Sequence, residues 1–282
     1  MENENANNNA CMTEESQKTE HEKILQIIKD YRPMDDEFMR ELFRDDIPLT
    51  EYVLRIITGI KDLTVTQSET QFDLHSLTGS RSLRLDVLGT DSEGKKYNLE
   101  VQRSDAGAAP KRLRYHSSAI DIEILKSGED FTELPETYVI FITENDVMGK
   151  GKLIYQYEWR EEDGSKLEDG AHIIFVNAAY DKENDASELA KLMHDFRCSN
   201  ASQMLTEPLA NKTRKLKETP EGVDTMCKAI EENNKRIIKD KSIKTAISLL
   251  RLGKLSYDEI ADVSELSVEE IEELAKTINH TA

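Results

Sequence analysis

The sequence predicts an α/β fold: a mixed β-sheet core flanked by helices, with an all-α appendage at the C-terminal end. Three observations predict it. Segments with two-residue alternation recur between residues 63 and 177. Helix-period stretches precede and interrupt them. From about residue 219 to 278 the chain reads as helix without a strand, so the sheet and the appendage separate along the sequence.

Taken in order, residues 1–20 are polar and acidic and are expected to be a disordered tail. Two helices are expected near residues 34–43 and 49–60. Strands follow at 63–74, 82–89 and 96–103. A helix is expected from Pro110 to about residue 125, since proline is well placed in a first helical turn. Strands recur at 137–143, 152–159 and 172–177, and a helix near 187–195 closes the sheet domain. The polar run from Glu161 to Gly170 reads as a turn. The expected division is a tail (1–20), a sheet domain (21–210) and a helical region (211–282).

The run from Ser82 to Arg103, SLRLDVLGTDSEGKKYNLEVQR, carries the chemistry. Leu83, Leu85 and Val87 alternate with Arg84 and Asp86, and Tyr97, Leu99 and Val101 alternate with Asn98, Glu100 and Gln102. The Gly89–Gly94 stretch between them has the composition of a turn. A loop centred on Glu93 sets Asp86 opposite Glu100 and Arg84 opposite Gln102. Opposed residues have Cβ atoms roughly 5 Å apart, and like charges there repel. A divalent cation bound at about 2.1 Å would turn that repulsion into coordination. A one-residue slip would send the acids to opposite faces. The competing reading is a solvated face with ordinary charges, and the clean apolar sides of both strands weigh against it.

The next segment, Lys111-Arg-Leu-Arg-Tyr-His116, crowds cations into the first two turns of its helix, with Leu113, Ile120 and Ile124 on an apolar stripe. A basic helix beside paired acids suits a phosphodiester: cations hold the phosphates and a metal polarises the one to be cut. A solvated face pairing with the chain's many acids is the alternative.

Asp86, then Glu100-Val-Gln102 after a short turn, then Lys111-Arg-x-Arg-Tyr115 resembles the PD-(D/E)XK nuclease superfamily, and more narrowly its recombination-promoting (Rpn-type) nuclease and transposase branch. The resemblance extends to Asp36-Glu-Phe38-Met-Arg-Glu-Leu-Phe43 and to Tyr138-Val-Ile-Phe-Ile142, and covers most of residues 30–282. It implies a restriction-endonuclease-like core and a Mg²⁺- or Mn²⁺-dependent DNA endonuclease. By position Asp86 and Glu100 match the metal-binding acids, with the Val101 carbonyl as a further oxygen. Gln102 stands where the superfamily has lysine, as the narrower branch commonly does. Glutamine positions water by hydrogen bonds but supplies no charge. The catalytic set is then Asp86, Glu100 and Gln102. Lys111, Arg112, Arg114 and Tyr115 are the DNA-binding candidates, and Asp36, Glu37 and Glu41 are candidates for one more acid.

Charge bounds this reading. There are 37 Lys and Arg against 56 Asp and Glu, a formal net charge of −19. Phosphate neutralisation carries nonspecific DNA affinity, so weak, salt-sensitive binding is expected. The acids are uneven: residues 256–282 hold eight Asp/Glu and one Lys, whereas Lys111–His116 and Lys212–Lys217 are locally basic. The three cysteines, Cys11, Cys198 and Cys227, form no paired spacing, which fits a reducing cytoplasm. His194 and Cys198 read as ordinary helix residues. Neither a signal peptide nor a membrane segment is expected.

In the C-terminal region Ser256-x-x-Glu259 and Ser267-x-x-Glu270 are capping boxes that open two short helices. With residues 242–252 they resemble a helix-turn-helix. The second helix carries Glu269, Glu270, Glu272 and Glu273, which a helix in the major groove should not present to phosphates. Contact with a second copy or another protein through residues 242–278 is therefore favoured over DNA reading. The net charge and Gln102 also keep a second class of function in view: a catalytically silent relative that binds or regulates through its acidic helices.

Overall fold

The computed structural model describes residues 14–74, 83–182 and 185–279. Helix α1 (Glu14–Asp30) begins inside the stretch expected to be a tail; residues 1–13 of that stretch lie outside the described residues. Helices α2 (Asp36–Phe43) and α3 (Ile47–Thr58) follow close to expectation. Asp46 caps α3 by accepting from the Leu49 amide at 3.1 Å, and Gly59 ends it at φ 75°, a left-handed conformation that glycine adopts without strain.

Three strands form an antiparallel meander: β1 (Val65–Leu74), β2 (Leu83–Asp91) and β3 (Lys96–Gln102). Ser82, where β2 is expected to start, lies outside the described residues. Helix α4 (Pro110–Ile124) leads to β4 (Thr137–Thr143), which pairs parallel to β3. β6 (Ala171–Asn177) continues the parallel set, and the short β5 (Ile154–Tyr157) lies antiparallel along its far side. The six strands run β1-β2-β3-β4-β6-β5. The sheet is thus mixed, and β3 is the seam between its antiparallel and parallel parts.

Two apolar layers sandwich it. On one face Val87, Leu99, Ile140, Ile142 and Val176 pack against α1, α2, α3, α5 (Glu188–Phe196), α6 (Glu207–Glu218) and the first half of α7 (Pro220–Leu252). On the other face Val139, Phe141 and Phe175 pack beneath Leu113, Ala119 and Ile120 of α4. Central β4 is buried along its whole length, as a strand covered on both faces must be.

Met226 and Ile230 of α7 belong to the main core, and the same helix continues to Gly253. Its far end packs with α8 (Tyr257–Ser264) and α9 (Val268–Asn279) around a separate cluster of Ala246, Ile260, Ala261 and Ile271. Both expected capping boxes are formed: Ser256 and Glu259 bond reciprocally at 2.7 and 3.3 Å, and Ser267 and Glu270 at 2.9 and 3.2 Å. Among the described residues no helix is long and apolar enough to cross a membrane.

The basic stretch in α6 is largely committed to the fold. Lys212 pairs with Asp46 at 2.8 Å, and Lys217 donates to the carbonyls of Lys29, Tyr31 and Ser199. These contacts tie α6 to the end of α1 and to the start of α3.

Candidate active site

The β2–β3 pairs run from Thr90↔Lys96 to Val87↔Leu99, and each pair's numbers add to 186. That is the register expected from a turn centred on Glu93, and it brings Asp86 next to Glu100. At this end of the hairpin the carboxylates themselves bind the partner strand. The Asp86 amide donates to Glu100 Oε1 at 3.0 Å, and the Val101 amide donates to Asp86 Oδ2 at 3.1 Å.

The strand turns over here. Val87 packs in one apolar layer and Leu85, two residues earlier, in the other; strict alternation would keep them together. On β1 the neighbours Thr70 and Phe72 pair with Val87 and Leu85, and Gln71 between them has a left-handed backbone, φ 58°. A non-glycine residue held there in mid-strand is strained, and such strain concentrates at functional sites.

The polar side of β3 is not the solvated face of the competing reading. Asn98 is fully buried and Glu100 is 1% exposed, both under α4, with His116 fully buried above them. Arg112 reaches in from the first turn of α4. Its guanidinium donates to Gln102 Oε1 at 3.2 Å, to the Gly107 carbonyl at 3.2 Å and to His116 Nε2 at 3.3 Å, and lies 4.0 Å from Glu100 Oε2. Both ring nitrogens face donors, Nε2 the Arg112 guanidinium and Nδ1 the Asn98 amide nitrogen. Nδ1 lies 3.1 Å from Asn98 Nδ2 and 3.7 Å from Glu100 Oε1. Burial, then the Arg112 charge, pushes His116 down to about 3, so the ring stays neutral.

The acids resist ionisation. Burial, then the charge of Asp36, pushes Asp86 up to about 7. Burial, then the charge of Asp86, pushes Glu100 well above the usual carboxylate range. Of the three acids on α2, Asp36 is thus the one felt at Asp86. Glu37 accepts from Asn233 of α7, and Glu41 pairs with Arg44 at 2.8 Å.

Glu100 Oε2 is buried with no hydrogen-bond partner. A buried carboxylate oxygen with no hydrogen bond and only a guanidinium at 4.0 Å is costly, and a closer cation is what such an atom accepts. Asp86 and Glu100 make an all-oxygen donor pair of the kind hard divalent cations take, and the charge of Asp36 is felt at Asp86. On these grounds the residues present fit Mg²⁺ or Mn²⁺.

Lys111, Arg112 and Tyr115 border a groove of about 530 Å³ together with Leu83 and Arg84. Arg84 is held by Asp73 through two bonds of 2.6 and 2.7 Å. Arg114 lines a different hollow, beside Tyr157 and Trp159. Gly107 permits the approach of the Gln102 side chain, since a Cβ there would lie 2.2 Å from Gln102 Oε1. Arg40, Gln71, Asn98, Asn233 and Arg236 also surround the acids, and sequence reasoning did not find them as site residues; His116, expected among the cations of the basic helix, is buried and neutral instead.

His194, Asp195 and Cys198 also lie together, with ligand atoms within 4.8 Å of one another. Both oxygens of Asp195 already accept from the Leu205 amide and from the Thr206 amide and hydroxyl, at 2.5–2.7 Å. The Cys198 thiol is pushed up by burial and by Asp195, which disfavours the thiolate a metal needs.

Residues 47–247 match the family described as PD-(D/E)XK nuclease family transposase. No curated protein and no solved structure matches the chain.

Proposed function

The chain belongs to the PD-(D/E)XK nuclease family transposases, and from that premise we propose that it is a metal-dependent endodeoxyribonuclease that hydrolyses phosphodiester bonds. The observation that carries the reading is the pairing of Asp86 and Glu100 at the end of the β2–β3 hairpin, with a buried Glu100 oxygen that accepts no hydrogen bond. Asp86 and Glu100, with Asp36 and the Val101 carbonyl, would hold Mg²⁺ or Mn²⁺. When bound, the ion supplies Lewis-acid polarisation of the phosphate and lowers the pKa of water.

The chain's own residues have separate tasks. Glu100 is oriented by the Asp86 amide at 3.0 Å, with the neutral His116 ring packed 3.7 Å from the same oxygen. Gln102 has its oxygen taken by Arg112, which leaves its amide nitrogen to donate to water or to phosphate. The positive charge absent from Gln102 is provided by Arg112, which spans Gln102 and Glu100. A guanidinium in that place stabilises charge developing on a phosphorane. Lys111 and Tyr115, with Arg84, receive the flanking backbone in the groove. Arg114 lies outside that groove and takes no part at the cut.

The test is nicking of supercoiled plasmid at low salt with Mg²⁺, Mn²⁺, Ca²⁺ or EDTA, comparing wild type with Asp86→Ala and Glu100→Ala. Nicking in Mg²⁺ or Mn²⁺ that disappears in EDTA and in both variants supports the reading. A folded wild type that never nicks would transfer the role to binding through the acidic C-terminal helices.

A further inference from the structure

We propose that Arg236, carried in by α7, is a positioning residue of the metal site: it fixes the orientation of the Asp36 carboxylate on the side of α2 that faces the Asp86–Glu100 pair, so that the C-terminal helix completes the site. The inference rests on the metal-site reading above and deepens it.

Arg236 Nη2 lies 3.5 Å from Asp36 Oδ2, and Arg40 Nη2 lies 3.6 Å from the same oxygen. The two guanidiniums share two further acceptors. Asn233 Oδ1 accepts from Arg236 at 2.6 Å and from Arg40 at 3.4 Å. The Gln71 amide oxygen, turned to face them, accepts from Arg236 at 3.0 Å and from Arg40 at 3.2 Å. Gln71 is the strained residue of β1, flanked by the pairs on either side of Asp86. Asn233 in turn donates to Glu37, the neighbour of Asp36.

Asp36 is half-exposed and carries a charge that opposes ionisation of Asp86. Left to itself, such a carboxylate would swing toward solvent and away from the other acids. Two planar, many-armed cations sharing side-chain acceptors prevent that. Arg40 is buried and sits on the same helix as Asp36; Arg236 comes from 200 residues away and closes the cluster. Carboxylates that ligate metals are ordinarily held by such outer partners. Electrostatics alone predicts the reverse for Arg236, because a cation beside a metal site repels the metal. The two ideas therefore differ in sign.

The experiment measures Mn²⁺ binding to the full chain by calorimetry, with plasmid nicking in parallel, for wild type, Asp86→Ala, Arg236→Ala and Arg236→Lys. Arg236→Ala should bind Mn²⁺ about 10–100-fold more weakly, while its KM for plasmid and its thermal midpoint in EDTA stay close to wild type. Arg236→Lys should fall between, since an ammonium keeps the charge but lacks the planar fork. It also decides the matter if the alanine variant does not fold. Added guanidinium ion should restore part of the Mn²⁺ affinity to Arg236→Ala and none to Asp86→Ala. Mn²⁺ binding by the Arg236 variants equal to or tighter than wild type, with Asp86→Ala impaired, overturns this inference alone. A wild type that neither binds Mn²⁺ nor nicks overturns both readings.

Discussion

Asparagine at position 86 tests what it costs the fold to hold two acids together. Burial and the Asp36 charge raise the Asp86 carboxyl from its ordinary 3.8 to about 7. A carboxyl raised in this way binds a proton in the native state that the unfolded chain has already released. Its effect on stability is absent below about pH 4 and grows as an increasing penalty up to about pH 7. About three units of difference correspond to about 4 kcal/mol, an upper figure because the proton is shared with Glu100. In EDTA at pH 8, Asp86→Asn should therefore be more stable than wild type by about 1–4 kcal/mol. More than half of that advantage should be gone by about pH 5. The Val101 amide keeps an acceptor in the asparagine oxygen, so the strand end is preserved. Urea unfolding followed by circular dichroism at both pH values reads the difference directly. Excess Mg²⁺ should narrow the gap at pH 8, since it stabilises wild type by about 2.7 kcal/mol at one hundred times its Kd and the variant by less. An asparagine variant no more stable than wild type at pH 8, with the same pH dependence, would refute the reasoning.

Further outcomes follow from single contacts. Gly107→Ala should leave the unfolding midpoint nearly unchanged, because the added methyl meets only the end of a flexible side chain. It should still slow nicking about tenfold or more by displacing Gln102 from Arg112. Arg112→Gln should lower kcat by about 100-fold while divalent-ion binding holds, as expected for the loss of a charge aimed at the reacting phosphate. Lys217→Met should destabilise the protein by about 2–4 kcal/mol in urea, because it strips the carbonyls of Lys29, Tyr31 and Ser199 of their shared donor. Gly222→Ala should cost at least as much, since a Cβ there would meet the backbone of Lys215 and Leu216 at 2.0–2.8 Å and force α6 away from α7.

What was legible in the sequence was local. The turn around Glu93 fixes the hairpin register, and register alone brings Asp86 to Glu100. Capping boxes fix the starts of α8 and α9 within a few residues of chain. The remainder depends on partners far apart in sequence. Asp36 is distinguished from Glu37 and Glu41 only by which way α2 faces the sheet. Nothing in the run around Arg236 announces that its side chain ends on Asp36. Alternation puts Asn98 and Glu100 on one polar face but does not tell that α4 covers it, because a lid supplied by another segment leaves no mark on strand periodicity. The stretch from Lys212 to Lys217 reads only as locally basic, because composition does not reveal that Lys212 and Lys217 are already taken by Asp46 and by three carbonyls. The helical start of α1 was hidden by its polar composition.

Helix α7 sets a phase as well as a position. From Val223 to Leu252 it contains neither proline nor glycine, so no residue of the usual hinge types interrupts it. Arg236 and Ala246 are ten residues apart, about 15 Å along the axis at the usual rise. Inserting one residue between them would rotate the distal helices by about 100° relative to the sheet and leave the arginine in place. The same insertion between Ile230 and Asn233 would keep the distal helices bound to the rod but swing Arg236 off Asp36. Two length changes a few residues apart in one uniform helix would thus separate the fate of the site from that of the distal unit.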